Sequence, residues 1–221
     1  MTILVATGLE RERHLLAGPD LEIIAGGGDH ERLEVRLEQL GAGKSGLISI
    51  GIAGGLAPDL VVGQWVVATA VLDRPHSIST DVAWTERLVA ALPGATRAPL
   101  LGSNEMIVER THKAALHRAT GAAAVDMESH IAARVAQRLG LPFAAARVVC
   151  DPAHRSLPRA AQVGMRPDGG MDIAAVLRSL LADPRQLPAL IRTGWEAEKA
   201  FRALLRGHRL LGRGLAGPDL G

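Results

Sequence analysis

Apolar runs alternate with amphipathic stretches along most of the chain. Runs that predict buried strands, most of them followed closely by Gly or Asp, lie at 3–6, 21–25, 47–52, 61–72, 100–101 and 143–150. Stretches whose apolar residues recur with helical spacing lie at 9–17, 30–40, 81–92, 111–120 and 127–139. Strands that alternate with helices at this spacing predict an α/β fold. We expect a central mixed sheet that is flanked by helices.

The pattern changes after residue 183. One more amphipathic helix is predicted over 173–181, and Asp183-Pro184 breaks it. Residues 176–213 contain eight Lys or Arg against three Asp or Glu, a net charge of +5. Because the whole chain carries +2, the remainder carries −3. We therefore divide the chain into a main domain, 1–183, and a basic, amphipathic C-terminal helical extension, 184–221.

A helix over 195–209 would have two different faces. Its apolar face gathers Ala197, Ala200, Phe201, Leu204 and Leu205, and its basic face gathers Lys199, Arg202, Arg206 and Arg209. Such a helix can lie at a membrane surface, or it can dock its apolar face on the domain or on a partner subunit. Pro184, Pro188 and Gly194 would let it sit apart from the core, with Trp195 near the basic side as an interfacial anchor.

The composition narrows the classes of partner. Tyr is absent and only two Phe and three Trp occur, which argues against a nucleic-acid binder that stacks bases on aromatic side chains. The single Cys150 excludes an internal disulfide and a Cys-based zinc site, and we predict no metal. We expect no signal peptide and no membrane span, hence a cytoplasmic protein whose membrane contact is limited to its surface.

Two carboxylates follow predicted strands. Glu128 lies in A-V-D-M-E-S, where a short Ala/Val strand runs into a helix, and Asp151 ends the apolar run R-V-V-C-D. Strand ends of this kind border the ligand sites of open α/β sheets. Glu128 could accept hydrogen bonds from a ribose diol, or it could be a helix N-terminal charge. Asp151 could be a general acid with a raised pKa, or an N-cap before Pro152.

Glycines follow three of the predicted strands. Gly8, residues 26–28 and residues 54–55 would let backbone N–H groups approach an anion or a sugar, or they would only form tight turns. None of these turns has the spaced glycines of a dinucleotide site. We therefore expect no nicotinamide cofactor.

Four segments together resemble one enzyme superfamily. They are V-A-T-G-L-E-R-E at 5–12, residues 51–68 (G-I-A-G-G-L-A-P-D-L-V-V-G-Q-W-V-V-A), A-V-D-M-E-S and R-V-V-C-D. In this order, across about residues 1 to 183, they resemble the nucleoside phosphorylases and the methylthioadenosine/adenosylhomocysteine nucleosidases. Within that superfamily the chain is most similar to the hopanoid-associated phosphorylases, which share the T-G-L start and the long basic C-terminus. The resemblance implies that 1–183 is a catalytic domain.

The resemblance also implies roles for individual residues. Asp151 would protonate N7 of the departing purine, and Glu12 would orient the attacking water. Glu128 would hold the ribose hydroxyls while Met127 packs against the sugar. The remaining substrate-binding positions border the nucleophile pocket or lie near the base: Gly8, Ala53, Gly54, Met106 and Ile107. No cofactor is implied, although inorganic phosphate could be a co-substrate, and the family suggests a homo-oligomer.

Ile52 departs from the family pattern, which often has Ser or Thr there facing phosphate or water. Phosphate would then depend on backbone N–H groups and on Arg11 or Arg13, so water and phosphate both stay open as the nucleophile. The predicted function is cleavage of the N-glycosidic bond of an adenosylhopane-like adenosyl lipid in hopanoid biosynthesis, releasing adenine. One alternative is a nucleosidase for methylthioadenosine, adenosylhomocysteine or a related soluble nucleoside. A non-catalytic nucleoside-binding protein is the other.

Overall fold

Eight strands form one sheet in the computed structural model of the chain, which describes residues 2–163 and 172–218. The strands are β1 (Ile3–Thr7), β2 (Leu21–Ala25), β3 (Leu47–Gly55), β4 (Trp65–Asp73), β5 (His76–Ser79), β6 (Thr96–Gly102), β7 (Ala124–Asp126) and β8 (Phe143–Asp151). Parallel and antiparallel pairs both occur, so the predicted mixed sheet is confirmed. The sequence did not predict β5, and it placed the start of β4 at 61, before a turn in which Gly63 adopts a positive φ of 88°.

The strand pairing closes part of the sheet into a ring. β8 pairs with β3 in parallel and with β4 in antiparallel fashion, while β6 joins β4 to β7 and β7 returns to β3. Glu128 follows β7 and Asp151 ends β8. These two strands therefore lie on opposite sides of β3 and do not pair with each other. The register sets Gly54 of β3 beside Val125 on one side and beside Asp151 on the other. Both acids thus lie close to the carboxyl end of β3.

Helices cover both faces of the sheet. They are α1 (Glu10–Leu15), α2 (His30–Gly41), α3 (Val82–Ala91), α4 (Arg110–Thr120), α5 (Ser129–Leu139), α6 (Arg159–Gln162), α7 (Ile173–Ala182) and α8 (Leu187–Leu211). Alternate residues of β1 show the two layers. Leu4 packs with α2 and α5, whereas Ile3 packs with α3 and α8. Both faces of such a strand are buried, which explains its unbroken apolar run.

The C-terminal helix α8 is part of this packing. Ala200, Phe201 and Leu204 are buried in the same core cluster as Trp65 of β4 and Trp84 of α3. The expectation that the helix sits apart from the core is therefore wrong for its second half. Its apolar face docks on the domain and its arginines face solvent, so this face is not available to a bilayer. Among the residues described, no helix combines the length and hydropathy that a membrane crossing needs.

Candidate active site

A cavity of about 230 Å³ lies at the carboxyl end of β3. All nine residues that the sequence predicted for the site line it: Gly8, Glu12, Ala53, Gly54, Met106, Ile107, Met127, Glu128 and Asp151. Their placement brings together positions that are far apart in the chain, while the role of each stays a prediction. Leu157, Ala161, Thr193 and Ala197 form a further part of the wall that the sequence did not predict.

Glu12 is held almost entirely by backbone donors. Its Oε2 accepts hydrogen bonds from the N–H groups of Gly8 and Leu9, both at 2.8 Å, and its Oε1 accepts one from Ile52 N–H at 2.7 Å. The side chain is buried, and burial raises its pKa above the ordinary value despite the opposing effect of Arg147. A carboxyl group so placed can accept a proton from a water in the cavity.

Arg147 is a fully buried cation beside these acids, and the sequence prediction did not assign it a role. Its Nη2 donates to Ser49 Oγ at 2.6 Å and to Asp126 Oδ1 at 3.0 Å. Its Nη2 is also 3.5 Å from Glu128 Oε2. Within the described residues, its Nη1 and Nε atoms have no hydrogen-bond partner. A charged residue in the middle of the apolar strand 143–151 was the signal for it, because arginine is almost never fully buried unless it is paired.

Gly51 leaves room for the side chains of both Glu12 and Arg147 beside β3. A Cβ atom at this position would lie 2.5 Å from Glu12 Oε1 and 2.6 Å from Arg147 Nη1, closer than real Cβ contacts come. The carboxylate and the guanidinium therefore converge over the bare backbone of β3.

Glu128 and Asp126 have opposite electrostatic environments. Burial raises the pKa of Glu128 to about 8, and the neighbouring Asp126 and Glu12 also raise it while Arg147 acts against them. Burial acts to raise the pKa of Asp126 too, but Arg147 and the N–H groups of Ser129 and Glu128 hold it below its ordinary value. Asp126 Oδ1 accepts from those two N–H groups at 2.6 and 2.8 Å. Asp126 is thus the charge that caps α5, which leaves the Glu128 carboxyl at the cavity.

Asp151 forms an ion pair with Lys113 in the wall of the cavity. Lys113 Nζ donates to Asp151 Oδ2, and also to the backbone oxygen of Arg155 at 3.1 Å. Burial raises the pKa of Asp151 above its ordinary value, and the ammonium group of Lys113 opposes that shift. The sequence prediction missed Lys113, since it lies in a helix of mixed charge that is typical of a solvated surface.

Three other residues considered from the sequence do not serve the cavity as nucleophile or cation. Cys150 reaches the cavity wall, but burial raises the pKa of its thiol to about 12, so it is not a thiolate nucleophile. Arg11 lies over the Phe201 ring and pairs with Glu198, and Arg13 pairs with Glu10. Neither arginine lines the cavity, so the suggestion that they hold phosphate is wrong.

A comparison with protein families identifies the superfamily of the chain. The profile of the family described as Phosphorylase superfamily matches residues 32–182, about two thirds of the chain. The chain belongs to the phosphorylase superfamily. It is an enzyme, as the sequence predicted. The matched range of this superfamily contains Glu128 and Asp151, whereas Gly8 and Glu12 lie before it.

Solved structures of the superfamily's fold resemble the chain over nearly its whole length. The 5′-methylthioadenosine/S-adenosyl homocysteine nucleosidase of Helicobacter pylori is 15% identical with a TM-score of 0.68, covering 95% of this chain and 96% of that one. The futalosine hydrolase of Helicobacter pylori strain 26695 is 16% identical with a TM-score of 0.67, covering 96% and 97%. The 5′-methylthioadenosine/S-adenosylhomocysteine nucleosidase from Neisseria meningitidis is 16% identical with a TM-score of 0.66, covering 94% and 97%. No curated protein sequence matches the chain.

Proposed function

We propose that the enzyme hydrolyses the N-glycosidic bond of an adenosyl nucleoside and releases adenine. The observation on which this depends most is the convergence of Glu12, Glu128 and Asp151 on one cavity, with Arg147 behind two of them. Departure of a purine leaves an oxocarbenium-like sugar, which calls for a proton donor at the base and carboxylates near the sugar. The cavity holds both kinds of group.

Water is the nucleophile in this proposal because the carboxylate of Glu12 already accepts the backbone hydrogen bonds that a phosphate anion would need. The N–H groups of Gly8, Leu9 and Ile52 all point at Glu12, and phosphate would need such donors. A phosphate would also meet the Glu12 carboxylate at close range. A water in the cavity instead could donate a hydrogen bond to Glu12, which lines it.

The reaction then proceeds by one displacement. The water oxygen bonds to the anomeric carbon as the bond from that carbon to the purine nitrogen breaks. The proton of Asp151 passes to N7 of the purine, and a proton of the water passes to Glu12. Glu128 accepts hydrogen bonds from the ribose diol, for which its position beside Gly8 leaves room, since a Cβ there would lie 3.0 Å from Glu128 Oε1.

The substrate in this proposal is an adenosyl lipid similar to adenosylhopane, in hopanoid biosynthesis, met at a membrane surface. The motif resemblance supports it, and so does the apolar wall that Ile107, Leu157 and Ala161 give the cavity. A homo-oligomer belongs to the same proposal. The second candidate is a nucleosidase for a soluble nucleoside, favoured by the similar folds of the methylthioadenosine/adenosylhomocysteine nucleosidases and of futalosine hydrolase.

Mass spectrometry of the products tests the proposal. The full chain is incubated with adenosylhopane, methylthioadenosine and adenosylhomocysteine, each with and without inorganic phosphate. We expect free adenine and a ribosyl lipid with an unphosphorylated sugar from adenosylhopane, at a rate that does not depend on phosphate. A product with phosphate on the anomeric carbon of that sugar would replace hydrolysis by phosphorolysis, and adenine from the soluble nucleosides alone would select the second candidate. No adenine from any of the three would refute the glycosidase proposal.

A further inference from the structure

Two stripes of large apolar side chains face solvent near the C-terminus. One stripe lies on α7 and the other on the first half of α8, each with a spacing of four residues: Ile173, Leu177 and Leu181, then Leu187, Ile191 and Trp195. All six are exposed, Leu181 by 82% and Trp195 by 77%. We call these six residues the double stripe. A set of this kind on a folded protein marks an interaction surface.

The helix α7 shows why the double stripe needs a partner. It has ten residues and none of them is buried, and its principal contacts are with α6 and the turn at 184–186. An isolated helix of this length is marginal in water and is normally stabilised by packing an apolar face. The stripe residues of α7 point at solvent while Val176 and Leu180 are half-buried, so a partner that covers the stripe would stabilise the helix.

Exposed arginines accompany the double stripe. Arg178, Arg185 and Arg192 are exposed on the same segment, and Asp183 is the one acid between Ile173 and Trp195. Apolar side chains flanked by arginine, with a tryptophan at one end, suit the interface of an anionic bilayer. A second copy of the chain suits the segment less well, because a twofold contact brings the same arginines to both sides.

The double stripe also lies close to the cavity. Thr193 and Ala197 of α8 line the cavity, and Ile191 and Trp195 project from the opposite side of the same helix. Only the width of one helix, about 10 Å, then separates the cavity from whatever covers the stripe.

We propose that the double stripe binds the surface of a bilayer that contains anionic lipid. The surface differs from the amphipathic face predicted over 195–209, whose apolar residues are buried in the core. This inference rests on the proposed function, because an enzyme with a lipid substrate has to meet that substrate at a membrane. It adds the surface by which the enzyme would bind there. Binding to the bilayer places one wall of the cavity next to the membrane in which such a substrate resides.

Vesicle flotation of the full chain tests the inference without any substrate. We expect the protein to float with vesicles of phosphatidylcholine and phosphatidylglycerol, and far less with phosphatidylcholine alone. Leu181→Ser combined with Trp195→Ser should lower the binding by about tenfold or more, because each removes a large apolar side chain from the contact. The matched control is Val35→Ser with Val82→Ser, two valines exposed on α2 and α3, which should float like the wild type.

Charge variants and the state of association complete the test. Arg178→Gln, Arg185→Gln and Arg192→Gln together should lower binding to the anionic vesicles on the order of a hundredfold, since each arginine near the surface contributes about 1 kcal/mol. No flotation of the wild type, or equal flotation of the serine variant, overturns the inference. If the serine variant instead converts a non-floating dimer into monomers in sedimentation experiments, the double stripe is a subunit interface.

The outcomes for the two proposals can be told apart. Release of adenine from a soluble adenosyl nucleoside does not need a membrane, and flotation does not need catalysis. An enzyme that cleaves a nucleoside but never floats loses only the membrane inference. A protein that floats but releases no adenine loses the proposed function.

Discussion

Lys113 and Asp151 form an ion pair inside the wall of the cavity, with the lysine fully buried. The ammonium group favours the ionised form of Asp151, whereas burial favours the protonated form, and burial is the larger influence. The two effects compete at the residue that we expect to protonate the purine. Lys113 therefore adjusts the pH at which the acid is available, in addition to orienting its carboxyl group.

Asp151→Asn should reduce the rate of adenine release by roughly two to four orders of magnitude, the usual cost of removing a positioned acid. It should also lower the free energy of unfolding by about 3–5 kcal/mol, because Lys113 is left buried without its counter-charge. Urea unfolding and initial rates measure the two effects. Adding Lys113→Met should recover most of the stability and none of the rate. Wild-type turnover in Asp151→Asn would end the assignment.

Lys113→Met should move the alkaline limb of the profile of kcat/KM against pH to higher pH. Removing the ammonium group removes the influence that lowers the pKa of Asp151, so the acid stays protonated further into the alkaline range. Rates across the pH range measure the shift, with Lys199→Met, an exposed lysine of α8, as the control. An unchanged limb would mean that Lys113 is only structural.

Glu128→Gln should impair ribosides far more than 2′-deoxyribosides. The amide keeps the shape of the side chain but offers the ribose diol one acceptor oxygen where the carboxyl group offers two. Above about pH 8, where Glu128 is ionised, the amide also lacks the charge that strengthens those hydrogen bonds. The ratio of kcat/KM for the two substrates measures this. Glu105→Gln, at an exposed residue of the same cavity, should leave the ratio unchanged. An equal loss on both substrates would make Glu128 a structural residue.

The pH dependence of stability offers a separate test of Glu128. Its pKa rises from 4.5 to about 8 on folding, so the folded state binds the proton more tightly than the unfolded state. The stability this provides is complete below about pH 4.5 and is lost as pH rises to about 8, with a slope of at most about 1.4 kcal/mol per pH unit. Urea unfolding across this range should show a smaller decline in Glu128→Gln than in the wild type. Equal declines would contradict the raised pKa.

Glu12→Ala should lower hydrolysis by roughly two to four orders of magnitude. The change frees the N–H groups of Gly8, Leu9 and Ile52, and added formate should bind them and restore part of the rate. Initial rates with and without formate measure the effect. Glu10→Ala, on the exposed side of α1, is the control and should need no formate. A wild-type rate in Glu12→Ala would remove this residue from the mechanism.

The local pattern of apolar and polar residues was sufficient to predict most of the strands and helices. Asp29 caps α2 by accepting from Arg32 N–H, as predicted, because an Asx cap depends on residues three apart. The two motif acids could also be assigned to one site, since each follows a buried strand. The order in which the strands pair could not be predicted. For example, β7 pairs with β3 only through Ala124 and Val125, which lie beside the carboxyl end of β3.

The α/β class, the position of the acids Glu128 and Asp151 after strands, and the two faces of the C-terminal helix all follow from local sequence pattern. Which surface covers each face of that helix depends on the folded arrangement of the whole chain. Phe201 and Leu204 are buried in the core, while Leu181 and Trp195 with the same apolar character face solvent. The packing of the fold likewise placed Lys113 against Asp151, and Arg147 against Asp126 and Glu128. Helical periodicity fixes which side chains share a face, but burial depends on what the rest of the chain places opposite.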